Sequence, residues 1–128
     1  MDASELFQLQ KEARQVRVGP EIQEYIVALV NATRKSRDAR LGVSPRGGLA
    51  LMHAAQAHAF LLGLSFVTPD SVKAVALHVL AHRILLDPHR EFTGLSRKKL
   101  IEDVLSEVPV PTLPQDKTPG PHEKSSQH

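Results

Sequence analysis

The residue with the clearest chemical potential is Arg46, in the segment Leu41-Gly-Val-Ser-Pro-Arg-Gly-Gly48. Ser44 is a favourable helix N-cap and Pro45 suits the first helical position, so Arg46 falls at the second position of a predicted helix. A cation there opposes the helix dipole and costs up to about 1 kcal/mol. A bound phosphate would remove the conflict, because the guanidinium and the helix N-terminus would both attract it. The alternative is that Arg46 pairs with a carboxylate or points into water.

Two glycines, Gly47 and Gly48, follow this arginine. Because they lack side chains, we expect them to let a second surface approach the turn. They are the only adjacent glycines in the chain, and no GxxxxGK[ST] sequence occurs. The chain therefore cannot build a phosphate-binding P-loop of its own.

A run of cations precedes the same turn, with Asp38 as its single acid. We call these residues the basic corner: Arg34, Lys35, Arg37, Arg40 and Arg46. The corner could face a nucleotide, nucleic acid or an acidic protein surface, or it could be a solvated helix end that complements its own C-terminal dipole. Nucleic acid is the least favoured partner, because stacking of bases requires aromatic side chains and the neighbouring helices offer Tyr25 and Phe60 alone.

Histidines and serines do not form a complete site. His78 and His82 have a spacing that can hold a metal through two imidazoles, but no carboxylate is placed to complete a zinc site and no HExxH sequence occurs. The serines lie at predicted caps or loops and lack a GxSxG setting. Cysteine is absent, which excludes thiolate ligands and nucleophiles. We expect no metal site and no self-sufficient active site.

Prolines mark where the predicted helices begin, since a fixed φ and a missing N–H suit the first helical position. Three of them open runs with helical apolar spacing: Pro20, Pro45 and Pro69. The first run predicts an amphipathic helix of about 16 residues, and the second predicts a buried central helix that ends near Gly63. The third helix follows the cap Thr68.

Two further helices flank these three, capped by Ser4 and Ser96. Residues 64–67 form a predicted extended link, and residues 87–95 form a predicted loop. The sequence thus predicts an all-α fold, a small bundle of about five helices with almost no strand.

Length and composition limit the remaining possibilities. The chain has 128 residues, of which 41% are apolar, as expected of one small domain. Its formal charge of +2 does not predict a strong general affinity for phosphate backbones. No run of about 18 apolar residues and no signal-peptide layout occurs, so we expect a cytoplasmic protein with no membrane partner. Residues 112–128 contain a single aliphatic residue and are predicted to be a disordered tail.

Four blocks in the middle of the chain resemble the C-terminal helical lid of MoxR-type AAA+ ATPases, in the same order and spacing. The blocks are Glu24–Arg34, Leu41–Leu51, Phe66–Val72 and Val79–Arg83. Residues 6–10 and 108–111 resemble the segments that flank this lid. The resemblance therefore assigns residues 4–111 to a lid domain, and it suggests that the chain is a lid cut from a longer ATPase.

The resemblance implies a role for Arg46, because the SPR motif of this family carries the sensor 2 arginine. That residue reaches from the lid to the γ-phosphate of ATP, which the preceding α/β core holds together with Mg²⁺. A catalytic and nucleotide-binding Arg46 is therefore expected. The first lid helix of AAA+ proteins lies against the adenine, which implies nucleotide-binding roles for Ile22 and Tyr25. Ordinary core positions are the alternative for both.

Some positions depart from the family pattern. Ala is common at the place of Val43, a small residue such as Ala at Gly47, an acid at Ser71 and Gly-Arg at residues 63–64. Walker A, Walker B, sensor 1 and the arginine finger belong to the core and have no counterpart here. No ATPase activity is expected from this chain alone.

The leading hypothesis is a sensor 2 lid of a chaperone-like ATPase. Its expected partners are its own core in cis and the neighbouring subunit of a ring, and for some family members a von Willebrand factor A domain protein. The rival hypothesis is a free-standing helical module that binds nucleic acid or an acidic protein through the basic corner.

Overall fold

The computed structural model describes residues 2–92, 94 and 96–112, most of which are helical. The helices, numbered α1 to α6, are Ala3–Ala13, Pro20–Lys35, Pro45–Leu61, Pro69–Leu80, Pro88–Phe92 and Arg97–Glu107. Ala81–Arg83 form a 3-10 turn, and the strands β1 (Ala39–Leu41) and β2 (Leu85–Leu86) form a short antiparallel ribbon. The predicted all-α class is confirmed. The predicted disordered tail lies outside the described residues from residue 113 onward.

Most helices begin where the capping residues of the sequence predicted. The hydroxyls of Ser44, Thr68 and Ser96 accept hydrogen bonds from backbone N–H groups in the first turns of α3, α4 and α6. The expected cap of α1, Ser4, was wrong. Asp2 caps this helix in a reciprocal capping box with Glu5, which satisfies two backbone donors at once.

A short helix interrupts the predicted loop of residues 87–95. Pro88 opens α5, because its fixed φ suits a first helical position. Asp87 Oδ1 accepts a hydrogen bond from His89 N at 2.9 Å in that turn. The described chain therefore has one helix more than the five expected.

The core lies between α2, α3, α4 and α6, and α3 contacts α1, α2 and α4. Its largest fully buried side chains include Ile22, Leu29, Leu51, Leu80, Leu100 and Ile101. Within the described residues, no helix is long and apolar enough to cross a bilayer.

Two connections hold the N-terminal part of the chain on this core. Arg17 N donates to Ser65 O at 3.1 Å and Val67 N donates to Arg17 O at 2.9 Å, which ties the link before α2 to the link before α4. Gln56 Nε2 on α3 donates to the carbonyls of Arg14 and Val16, at 3.1 and 2.8 Å. The start of α2 is therefore fixed relative to α3 and α4.

Candidate functional site around Arg46

Arg46 lies in the first turn of α3 and its side chain is exposed. Gly47 N donates to the carbonyl of the cap Ser44 at 2.9 Å and, at 3.4 Å, to its hydroxyl. No acidic residue occupies this turn. Across residues 2–92, 94 and 96–112, the salt bridges join Arg90 to Asp38 and Lys99 to Asp103, so Arg46 has no carboxylate partner there. Pairing with a carboxylate is thus not observed, and the exposed side chain at the helix N-terminus matches the other alternative, an arginine that points into water.

A buried hydroxyl holds the backbone just before this arginine. Thr33, near the end of α2, is 0% exposed, and its Oγ1 donates to Val30 O at 2.7 Å. The same oxygen accepts a hydrogen bond from Val43 N at 3.0 Å. Since Val43 is also fully buried, this bond satisfies a backbone donor that water cannot reach.

Gly42 brings the same turn into direct contact with α2. A Cβ at this position would lie 2.6 Å from Arg34 Cα and 2.7 Å from Arg34 N. Backbone atoms cannot move aside as a flexible side chain does, so only glycine permits this approach. The Arg46 turn, residues 42–47, is therefore seated on the C-terminal end of α2.

Gly47 does not open the turn to another surface, contrary to expectation. It is buried, and a Cβ there would overlap Val43 Cγ1 and lie 2.9 Å from Arg83 Cδ. The side chain at position 43 and the glycine at position 47 therefore compensate each other in size. The larger Val43 occupies the volume that a side chain at position 47 would fill.

Arg83 is a site residue that sequence reasoning missed. Its stem crosses the first turn of α3 at Gly47, and its Nη1 donates to Val79 O at 2.7 Å. It belongs to one of the family-like blocks, but that block was assigned no role. Its place against Gly47 depends on how α4 and the ribbon fold back, which no local pattern reports.

The basic corner divides into two parts in the structure. Arg34 lines a groove of about 460 Å³ between α2 and α3, together with residues of the first turn of α3. Lys35 and Arg37 instead line a depression that also contains Asp103 and Glu107 from α6. These carboxylates reduce the positive potential on that side, whereas Arg34 and Arg83 lie against the Arg46 turn at Gly42 and Gly47.

The other two predicted nucleotide-binding residues lie in the core of the bundle. Ile22 is 1% exposed and Tyr25 is 3% exposed. The Tyr25 hydroxyl is buried without a hydrogen-bond partner among the described residues. Burial, and secondarily the charge of Asp70, raises the pKa of Tyr25. This placement matches their alternative role as core residues, and their contact with adenine stays a prediction.

The histidine and serine candidates are dispersed. His78 and His82 are exposed, and within the described ranges no group of three or more His, Asp or Glu side chains could hold a metal. Ser71, at the place where the resemblance leads one to expect an acid, is buried with its Oγ 3.3 Å from His58 Nδ1. Its hydroxyl is enclosed in the bundle, where it also accepts a hydrogen bond from Thr68 Oγ1 at 3.4 Å.

A comparison with protein families decides what this bundle is. Residues 31–105, from the end of α2 into α6, match the model of the AAA lid domain. The chain belongs to the AAA lid domain family. The matched region includes Thr33, Arg46 and Arg83.

Curated relatives place this AAA lid with those of MoxR-type AAA+ ATPases, as the sequence blocks predicted. Uncharacterized protein YeaC of Bacillus subtilis is 43% identical over 103 residues, which cover 80% of this chain and 32% of that protein. Protein MoxR of Paracoccus denitrificans is 34% identical over 74% of this chain and 31% of its own length. Chaperone MoxR1 of Mycobacterium tuberculosis is 30% identical over 88% of this chain and 32% of its own length.

A solved structure agrees with these relatives. The crystal structure of a candidate ATPase from Cytophaga hutchinsonii superposes with a TM-score of 0.75 and 31% identity, over 80% of this chain and 34% of that one. The AAA lid described here thus spans about a third of the length of the proteins it matches.

Proposed function

We propose that this lid acts as the sensor 2 element of a MoxR-type ATPase, with Arg46 directed at the γ-phosphate of ATP. The observation that carries the proposal is an exposed arginine without a carboxylate partner among the described residues, held on a fixed turn at a helix N-terminus. The helix dipole and the guanidinium both favour an anion at this place.

The residues around the turn fit a phosphate group. Arg34 and Arg83 lie against the Arg46 turn at Gly42 and Gly47, and the first turn of α3 contains no acid that would repel an anion. No carboxylate of this turn could hold Mg²⁺, so ATP and its metal ion would be held mainly by the ATPase core. ATP supplies the phosphate charge, and Arg46 stabilises that charge electrostatically and links nucleotide state to lid position.

The proposed unit is residues 4–111, which include α1 and α6 as well as the matched region. Its proposed partners are the ATPase core in cis, a neighbouring subunit of a ring and, for a chaperone-like assembly, a von Willebrand factor A domain protein. The proposed location is cytoplasmic. The nucleic-acid alternative gains no support, because Lys35 and Arg37 share their depression with Asp103 and Glu107.

The test is the turnover of the core-plus-lid protein carrying Arg46→Ala. Loss of a charge-assisted phosphate contact lowers turnover by roughly ten- to a thousandfold, or about 1.4 to 4 kcal/mol. Arg40→Ala is the matched control, since it removes an exposed cation of the basic corner from β1. Turnover of Arg46→Ala within twofold of the unaltered protein would reject the sensor role.

Nucleotide binding by the isolated lid gives a second test. One arginine and a helix terminus cannot replace a P-loop, so we expect weak binding of ATP, with a Kd above about 0.1 mM by calorimetry. Micromolar or tighter binding would contradict this proposal.

A further inference from the structure

The contacts of Thr33 separate a structural role from a role at the site. Its Oγ1 donates to Val30 O within α2 and accepts from Val43 N outside the helix. The first bond is a common back-bond that a helix does not require. A valine of nearly the same shape would fill the same volume. The hydroxyl is needed only by Val43 N, which lies in the Arg46 turn.

The bond to Val43 N lies in a part of the Arg46 turn that is held on both sides. Val43 is 0% exposed, so its N–H has no access to water if the hydroxyl is removed. Gly42 touches the backbone of Arg34 directly before it, and the cap Ser44 follows directly after it. Thr33 thus connects α2 to the backbone three residues before Arg46.

We propose that Thr33 is a positioning residue that makes α2 and Arg46 move as one body. Its hydroxyl fixes the turn so that rotation of α2 carries the Arg46 guanidinium toward or away from the phosphate. The proposal rests on the sensor role of Arg46 and adds the link through which lid movement reaches that residue. A misplacement of about 1 Å at a reacting group can cost a hundredfold in rate, so a small relaxation of the turn has a measurable effect.

The test uses Thr33→Val and Thr33→Ser in the core-plus-lid ATPase. Thr33→Val removes the hydroxyl and keeps the shape, and we expect kcat to fall about tenfold with KM for ATP within twofold of the unaltered protein. Thr33→Ser retains the hydroxyl and restores kcat to within about twofold. A Thr33→Val enzyme with unchanged kcat would overturn the proposal, as would a Thr33→Ser enzyme as slow as Thr33→Val.

The double variant Thr33→Val/Arg46→Ala separates positioning from general stability. If Thr33 acts through Arg46, Thr33→Val lowers kcat less than twofold in the Arg46→Ala background. A tenfold loss in both backgrounds would overturn the proposal. If Arg46→Ala alone leaves turnover unchanged, the proposed function fails first and the role of Thr33 fails with it.

Amide exchange reports on the link without activity. In the 128-residue chain, the Val43 amide of Thr33→Val should exchange at least tenfold faster by NMR, while amides in the middle of α3 keep their rates. Equal rates for Val43 in both proteins would overturn the proposal. Should Thr33→Val fail to fold, the unaltered chain still tests the link: its Val43 amide should exchange as slowly as amides in the middle of α3, and exchange as fast as that of exposed loops would overturn the proposal.

Discussion

Substitution of Gly47 by alanine should have opposite effects on stability, depending on the residue at position 43. In the unaltered chain the new methyl overlaps Val43 Cγ1 and lies 2.9 Å from Arg83 Cδ. Arg83 is exposed and can move, but Val43 is completely buried and cannot. In the Val43→Ala background the overlapping methyl is gone, and the methyl that Gly47→Ala introduces fills space that would otherwise be a cavity.

The expected magnitudes follow from two opposing terms. Overpacking a core costs about 1 to 3 kcal/mol, and replacing glycine by alanine in a helix gains up to about 1 kcal/mol. Gly47→Ala alone should therefore lower the free energy of unfolding by about 1 kcal/mol. Val43→Ala alone should cost at least about 1.6 kcal/mol for two methyl groups. In that background, Gly47→Ala should instead stabilise the chain by about 0.5 to 1 kcal/mol.

The assay is urea unfolding of the four proteins of this double-mutant cycle, followed by circular dichroism. We expect a coupling free energy between Val43 and Gly47 of about 2 kcal/mol, within the range found for contacting residues. Gly48→Ala is the matched control, because its Cβ would lie 3.3 Å from Val30 Cγ2, at the edge of ordinary contact. Additive effects at positions 43 and 47, within about 0.5 kcal/mol, would refute the compensation.

Three further measurements test the surroundings of the site. Tyr25→Phe should leave the free energy of unfolding unchanged or raise it by up to about 1 kcal/mol in a urea titration. The reason is that the buried hydroxyl has no partner among the described residues. A decrease of more than about 1 kcal/mol would contradict this prediction. Gly42→Ala should cost about 2 kcal/mol or more in thermal unfolding, since its Cβ would lie 2.6 Å from Arg34 Cα, and an unchanged Tm would refute that contact. Burial, and secondarily Arg14, lowers the pKa of His53 below its ordinary value of 6.5. The unfolded state therefore binds more protons there, and stability falls as the pH drops below 6.5. His53→Gln should reduce this fall between about pH 7.5 and about pH 5.5 in urea unfolding, and an equal fall in both proteins would exclude the contribution.

The sequence alone determined the features that depend on neighbouring residues. The start of α3 at Pro45, its cap Ser44 and the place of Arg46 in the first turn follow from backbone φ, one side-chain hydrogen bond and the helix dipole. The lid family also followed from the sequence, because its blocks keep their order and spacing. Two local predictions were wrong. Asp2 caps α1 in place of Ser4, and Pro88 opens a short helix inside the predicted loop of residues 87–95.

The tertiary structure decided which distant residues meet at that turn. Thr33 binds Val43 and Arg83 crosses Gly47 because of the angles at which α2, α3 and α4 pack. Burial of Tyr25 was settled in the same way. These contacts join residues far apart in the chain, and their distances depend on the whole core. Local chemistry therefore set where the arginine stands on its helix, and long-range packing set how firmly its turn is held.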